Sequence, residues 1–395
     1  MPHVASIGTY LPCWGRAHHR VPGDDEDAIT LAVEAGLGAL RSGAPVERVV
    51  LVSRDLPLLE SSNAAVLLAG LGLDPELEVD ERLGGAPATL DAISSARPRT
   101  MVIGVDLDPA GAGAVITGQQ GLQVRTAARV ARSLPVRTRN ATGTVHDYGD
   151  PRLLHERGLI ASLEAAWLDI PAAMAGVDHQ RAVELCRDTP PELPTLGASS
   201  SIFALAGMVE QGLTGPLVAA EQASLSGMTV SGGVPRIERL EPPARPLPQG
   251  TYLAGTEIPI SLAAYERAFE AKTRWEAARY PGSGELHFPP RYLVGDDSRL
   301  DTHYELVPLP RTGTVYTETT VQMPVPGLRT PYTLVIVELD GVDVRALVKV
   351  TGAEPGTVRI GDRGRLTLRR IAVRSGVPDY GYAFEPAIPA RRSAA

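Results

Sequence analysis

Five prolines between residues 235 and 252 (Pro235, Pro242, Pro243, Pro246 and Pro248) constrain this chain more than any other feature. Proline removes a backbone donor and fixes φ, so such a stretch reads as a semi-rigid linker that sustains neither helix nor sheet. It divides a 395-residue sequence into two stretches of different texture. Before it, residues 1–234 alternate short apolar runs with helical periods, the pattern of an α/β layer fold. Val46–Val52, Thr100–Val105 and Ala114–Thr117 read as strands. Asp24–Ser42 reads as a helix, because an acidic cap precedes Ile29, Val33, Leu37 and Leu40 at helical spacing. After the linker, Ser261–Tyr280 is helical in pattern and the text then turns to β.

The tail from Gly313 to Glu385 predicts several strands. Thr314–Val321 is rich in β-branched residues, Tyr332–Leu339 is nearly continuous apolar sequence, and Asp340-Gly341 is a hairpin turn before Val342–Val350. Val358–Ile360 and Leu366–Val373 add two more around Gly361-Asp362. Five short strands in so few residues imply a small closed barrel. No internal repeat of fixed period stands out.

Composition excludes several classes of function. A net charge of −8 offers no broad attraction to phosphate backbones, and no run of five or more basic residues occurs, so nucleic acid is not an expected partner. Cys13 and Cys186 are the only thiols, too few for a disulfide framework and not spaced as a metal site. No apolar run of 18 residues occurs, and the start lacks a basic segment followed by an apolar one, so the expectation is a cytoplasmic protein with no membrane contact.

Several segments resemble known families. Phe288-Pro289-Pro290-Arg291, Gly313–Thr319, Pro331-Tyr332 and Val337–Gly341 resemble the acyl-CoA-associated OB-fold proteins of domain-of-unknown-function family 35, over about residues 257–386. That resemblance implies a helical arm and a rubredoxin-like zinc ribbon ahead of the barrel, over 257–306, then the barrel over 307–386 and a tail over 387–395. The family's ribbon carries two cysteine pairs around the Phe-Pro-Pro-Arg segment, and here both are missing. Tetrahedral zinc needs four thiolate or imidazole ligands, and His287 and His303 are the only imidazoles nearby, so the ribbon is expected to be a metal-free loop.

Residues 4–233 resemble the thiolase superfamily, closest to hydroxymethylglutaryl-CoA synthase-like and ketoacyl synthase III-like proteins. The segments that carry this are Ile7–Pro12, Asp24–Ala28, Ala69–Leu73, Val105-Asp106, Ala110–Ala114 and Leu196–Ser201, and their order is the argument. The resemblance implies a duplicated five-layer αβαβα fold, with 1–234 as this domain and 235–256 as the linker. It also implies a homodimer, or a heteromer with a thiolase or synthase homologue, and a coenzyme A thioester or carrier-bound acyl group as substrate.

The family's nucleophile is a cysteine at a helix start, where the dipole and a neighbouring imidazole favour the thiolate. Gly84-Gly85-Ala86-Pro87-Ala88-Thr89 stands in that place and has no cysteine. Alignment of Ala88-Thr89 with the family's Gly-Thr puts Gly85 at the nucleophile position, with Gly84 and Ala86 as neighbouring alternatives. Val177-Asp178-His179-Gln180 resembles the family's His-Gln, so His179 is a candidate acid or base or, alternatively, a surface residue at a helix start. The family's Asn is replaced by Ala198, and Ser199, Ser200 and Ser201 are candidate donors to a carbonyl or, equally, helix-capping residues. Cys13 and Cys186 read as packing residues. The second half, from about residue 150 to 233, is shorter than in a full synthase. Three functions fit: an enzyme acting on an acyl thioester without a covalent acyl-enzyme, a silent subunit of an active synthase or thiolase, and a small-molecule sensor.

Overall fold

The computed structural model describes residues 2–134, 136–140, 142–253, 270–281, 283–294, 298–323, 328–374 and 376–387. The chain forms two compact units, one of Met1–Pro22, Leu31–Leu67 and Leu73–Arg245, the other of Gly23–Thr30, Leu68–Gly72 and Pro246–Ala395.

The first unit is built on a ten-stranded sheet. Its strands are β1 (His3–Tyr10), β2 (Arg48–Ser53), β3 (Glu78–Leu83), β4 (Thr100–Leu107), β5 (Ala110–Gly118), β6 (Leu122–Ala131), β7 (Ala173–Ala175), β8 (Gly215–Glu221), β9 (Ser224–Ser231) and β10 (Arg236–Leu240). The helices are α1 (Ala28–Leu40), α2 (Ala64–Leu71), α3 (Ala86–Ser95), α4 (Ala161–Ala166), α5 (His179–Leu185) and α6 (Ser200–Glu210). The spatial order β7-β8-β9-β6-β1-β5-β4-β2-β3 contains one pattern twice. In β2-β4-β5-β1 the first pair is parallel and the next two are antiparallel, and β7-β8-β9-β6 repeats that sequence of orientations. The halves meet where His3 and Val4 of β1 pair with Gln123 and Leu122 of β6.

The two halves enclose a helical layer. Helices α3 and α6 each pack against strands of both halves, while α1 lies against β1 and α4 against β6 and β9. The five-layer duplicated arrangement expected from the resemblance is therefore present. Its repeat is one of topology, which explains why the sequence shows no fixed period. One difference between the halves lies just ahead of the central helix. In the first, β3 leads into α3; in the second, residues 187–198 lead into α6 with no strand. Pro190, Pro191 and Pro194 lie in that run, and three residues without an N–H cannot join a ladder.

The interior of the first unit is apolar and close-packed, with Ile7, Val52, Leu90, Ile93, Val102, Ile202, Leu205 and Met228 all buried. At Gly8 a side chain would strike the backbone of α1, since a Cβ would lie 2.2 Å from the Ala35 carbonyl oxygen, so glycine lets helix and strand approach.

The proline-rich stretch departs from expectation. Arg236–Leu240 is a strand, β10, paired in parallel with β1 from Ser6↔Arg236 to Tyr10↔Leu240. Pro235 and Pro242 flank this strand and so interrupt none of its bonds. The helix predicted over Asp24–Ser42 is Ala28–Leu40, and its cap is Asp27, whose carboxylate accepts from the backbone of Ile29 at 3.0 Å and Thr30 at 3.1 Å.

In the second unit, β11 (Thr312–Val321), β12 (Tyr332–Leu339), β13 (Arg345–Lys349), β14 (Arg363–Arg374) and β15 (Val377–Pro386) order as β13-β12-β11-β14-β15. A bridge between Val350 and Phe384, with the Thr351 N–H donating to the Phe384 carbonyl at 2.9 Å, closes the ends into a barrel. Val315, Val337, Leu368 and Phe384 fill it. Val358–Ile360 is not a strand; the Arg359 N–H bonds the Asp362 carboxylate at 2.8 Å and shapes a turn instead.

The helix expected over Ser261–Tyr280 falls mostly outside the described residues. Residues 270–274 are helical, but Glu276–Arg279 is a strand in a three-stranded antiparallel sheet with Leu286–His287 and Glu305–Pro308. Where the family places its ribbon, Tyr280 packs against His287 and Tyr304, each with ring centroids 5.7 Å away, and its hydroxyl donates to the Arg291 carbonyl. Among the described residues no group of three His, Cys, Asp or Glu side chains converges as metal ligands. Among them, too, no helix is long and apolar enough to cross a membrane.

Candidate functional site

The central helices α3 and α6 begin at corresponding places in the two halves, and Ser201 links them by donating to the Ala86 carbonyl at 2.8 Å. Each start is met by a carboxylate from the opposite half. Asp106, on β4, faces the start of α6; Glu221, at the end of β8, faces the start of α3. A glycine makes room each time. A Cβ on Gly197 would lie 1.9 Å from Oδ1 of Asp106, and one on Gly85 would lie 2.1 Å from Oε2 of Glu221.

The two carboxylates differ in how far they are satisfied. Oδ1 of Asp106 accepts from the Ala198 N–H at 2.7 Å, and Oδ2 accepts from the Ser199 N–H at 2.9 Å and the Ser199 hydroxyl at 2.5 Å. Burial nevertheless dominates and pushes the Asp106 carboxyl up to about 6, the hydrogen bonds from Ser199 and Ala198 opposing it. Asp106 is thus a fully bonded clamp on the start of α6.

Glu221 bonds through Oε1 to the Arg54 guanidinium. Among the described residues Oε2 accepts no hydrogen bond. Arg54, just after β2, also reaches the same spot: its Nη2 would lie 3.1 Å from a Cβ at position 85. The space a side chain at position 85 would need is therefore filled by an ion pair. The positive end of α3 favours a carboxylate there.

Glu221 borders a cavity of about 270 Å³. Buried Leu159 and Ala220 line it beside Glu221, while the exposed Arg137, Asp147, Asp178 and Leu196 lie on its wall toward solvent. Gly176 and Val177 bring the loop after β7 to the same cavity.

The sequence candidates do not converge on it. His179 is the first residue of α5, after the cap Asp178, whose side chain accepts from the Arg181 N–H at 3.0 Å. Its neighbours Val177, Asp178 and Arg181 line the cavity, but His179 itself is exposed and does not. Ser199 and Ser200 are buried. The Ser199 hydroxyl is held by Asp106 and lies 2.7 Å from the Thr195 hydroxyl, and Ser200 donates to the Gly197 carbonyl at 2.6 Å. Neither serine lines the cavity, and the α6 start is capped by Asp106 instead of by a serine side chain. Cys186 ends α5, remote along that helix from His179, and burial pushes its thiol up to about 11. Cys13 lies beside the Arg245 guanidinium at 3.5 Å. Arg54 and Glu221 carry no sequence signal of their own, and Asp106 enters the sequence reading only within the Val105-Asp106 segment, with no site role. A further sequence signal for these carboxylates is the pair of glycines, 85 and 197, ahead of buried helices.

Comparison with known proteins gives a family-model match in the second unit. Residues 306–369 match the model of a family described as the C-terminal OB-fold domain of ChsH2, which covers the barrel from β11 into β14. Solved structures are also similar to parts of the chain. The 3-oxoacyl-(acyl carrier protein) synthase III, FabH, of Pseudomonas aeruginosa PAO1 is 17% identical over 60% of this chain and 99% of that one, with a TM-score of 0.43. Cerulenin-bound OleA of Xanthomonas campestris is 13% identical over 58% of this chain and 97% of that one, with a TM-score of 0.46. The Ltp2-ChsH2(DUF35) aldolase is 22% identical over 33% of this chain and all (100%) of that one, with a TM-score of 0.28. No curated protein matches the chain.

Proposed function

We propose that the first unit binds an acyl thioester, carried on coenzyme A or a carrier protein, and acts on it without forming a covalent acyl-enzyme. The reaction class is non-covalent acyl transfer or the making and breaking of a carbon–carbon bond. One observation carries this reading: the side-chain volume at position 85 is occupied by the Glu221 carboxylate and the Arg54 guanidinium. No thiol can stand there, so the acyl group stays on its carrier, and positioning and electrostatics must do what a covalent intermediate otherwise does. The cavity beside Glu221 is where the acyl group lies in this reading.

A second reading has its own support. His179 is exposed, and Ser199 and Ser200 are committed to internal hydrogen bonds, so the residues that resemblance assigns to catalysis do not meet. This favours a silent subunit paired with an active, cysteine-bearing thiolase or synthase.

Incubation with acyl-CoA separates the two. Release of free thiol with no acyl adduct on the intact protein mass supports non-covalent turnover. An acyl adduct refutes it. No turnover, together with co-purification with a cysteine-bearing homologue, favours the silent subunit; a stable homodimer with turnover counts against it.

A further inference from the structure

The geometry points to Glu221 as the residue that selects the ligand of this cavity, by accepting a hydrogen bond from a hydroxyl on the acyl group. This rests on reading the cavity as a thioester site. The inference comes from the inequality of two carboxylates in matching positions. Both stand at a central helix start of the opposite half, where glycine leaves them room. Asp106 takes three hydrogen bonds from residues 198 and 199 and is closed off. Glu221 is held through one oxygen by Arg54, and its other oxygen accepts nothing among the described residues, yet the residue borders a cavity.

An ionised carboxylate only accepts, so a ligand seated against Oε2 must bring a donor. A ligand that brought none would desolvate that oxygen without replacing its bonds, which is costly. Arg54 narrows the class further. Its guanidinium already balances the charge of Glu221, so an ammonium group entering here would meet a second cation, whereas a neutral hydroxyl would not. Leu159 and Ala220 supply apolar contact for the carbon skeleton, and about 270 Å³ suits a short chain. The ligand class that fits is a short hydroxyacyl thioester. Arg54 is a positioning residue that fixes which carboxylate oxygen faces the ligand.

Calorimetry on the full chain with 3-hydroxybutyryl-CoA, butyryl-CoA and free coenzyme A tests this. The hydroxylated thioester is expected to bind tighter than butyryl-CoA by about tenfold or more, the range of a hydrogen bond to a charged group. Glu221→Ala should abolish that preference while leaving butyryl-CoA bound. Glu221→Gln keeps a carbonyl oxygen and should retain a reduced preference, which still provides a readout should the alanine variant fail to fold. Equal binding of both thioesters to the unmodified protein overturns the inference and leaves the thioester reading standing. So does a preference that survives unchanged in the variants, or a loss that is as large for free coenzyme A. Failure of all three ligands to bind overturns the thioester reading and this inference with it.

Discussion

Replacement of Gly85 by alanine puts a methyl group where Glu221 now stands, and its effect can be worked out before it is measured. The built Cβ lies 2.1 Å from Oε2 and 2.9 Å from Cδ of Glu221, so the carboxylate must move. It ends a flexible side chain beside a cavity, so it can swing aside. Displacement by about an ångström pushes Glu221 off its rotamer, costing roughly 0.5–1.5 kcal/mol. It also loosens a partly exposed ion pair with Arg54, worth about 0–1 kcal/mol at such exposure. The backbone does not resist, because φ −117° and ψ −149° are extended values that alanine adopts. Reduced freedom of the unfolded chain returns about 0.4–1 kcal/mol. Gly85→Ala is therefore expected to destabilise by roughly 1 kcal/mol. In a Glu221→Ala background the obstruction is gone, and the same substitution should be neutral or stabilising by about 0.5 kcal/mol. A double-mutant cycle from urea denaturation reads the coupling, which should be roughly 1–2 kcal/mol. If Gly85→Ala costs the same in both backgrounds, to within about 0.5 kcal/mol, Glu221 does not fill position 85 and the argument against a covalent acyl-enzyme loses its basis.

Two further predictions follow from buried groups. Asp106 sits at about 6 when folded against an ordinary 3.8, so between those values the folded chain binds more protons than the unfolded one. Its contribution to stability is full below about pH 4 and declines by roughly 3 kcal/mol as pH rises through 6. The difference in denaturation free energy between the unmodified protein and Asp106→Asn should therefore fall from pH 4 to pH 7; a difference that grows over that range refutes the assignment. Cys186, pushed up to about 11 from an ordinary 9.0 by burial, should be a poor nucleophile. In a Cys13→Ser variant at pH 8, alkylation by iodoacetamide should run roughly 100-fold slower than for a small free thiol, the ratio of thiolate fractions. Comparable rates, followed by mass spectrometry, would show the thiol to be accessible and ionised.

Local sequence made some elements legible and not others, and the dividing line is physical. Tyr332–Leu339 is legible to the residue because a nearly continuous run of apolar and β-branched residues suits a strand, and Asp340-Gly341 marks the turn that follows. Arg236–Leu240 was hidden because its prolines lie outside the strand, where they break no hydrogen bond, and because its pairing partner β1 lies at the other end of the unit's sequence. Glu276–Arg279 carries buried Ala277 and Ala278, residues that suit a helix as well as a strand, and only pairing with Glu305–Pro308 decides between them.

The site follows the same rule. The order of motifs puts Gly85 where the resemblance implies a nucleophile, and no cysteine lies within one residue of it. What fills the side-chain space at Gly85 is not legible. Arg54 and Glu221 are 167 residues apart, on different halves of a duplicated fold, and nothing local in either segment announces that they meet. What could have announced it is the duplication itself. Once β4 and β8 are recognised as counterparts, Asp106 and Glu221 become counterparts as well, and the glycines at 197 and 85 become the two clearances that their carboxylates require. The same correspondence then gives the asymmetry its meaning. Asp106 spends both oxygens on the backbone and hydroxyl of the opposite half, whereas Glu221, which borders a cavity, has one oxygen that accepts nothing among the described residues. A matched pair in which one member is closed and the other open is what makes the start of α3, and not that of α6, the side on which the proposed thioester chemistry is to be tested.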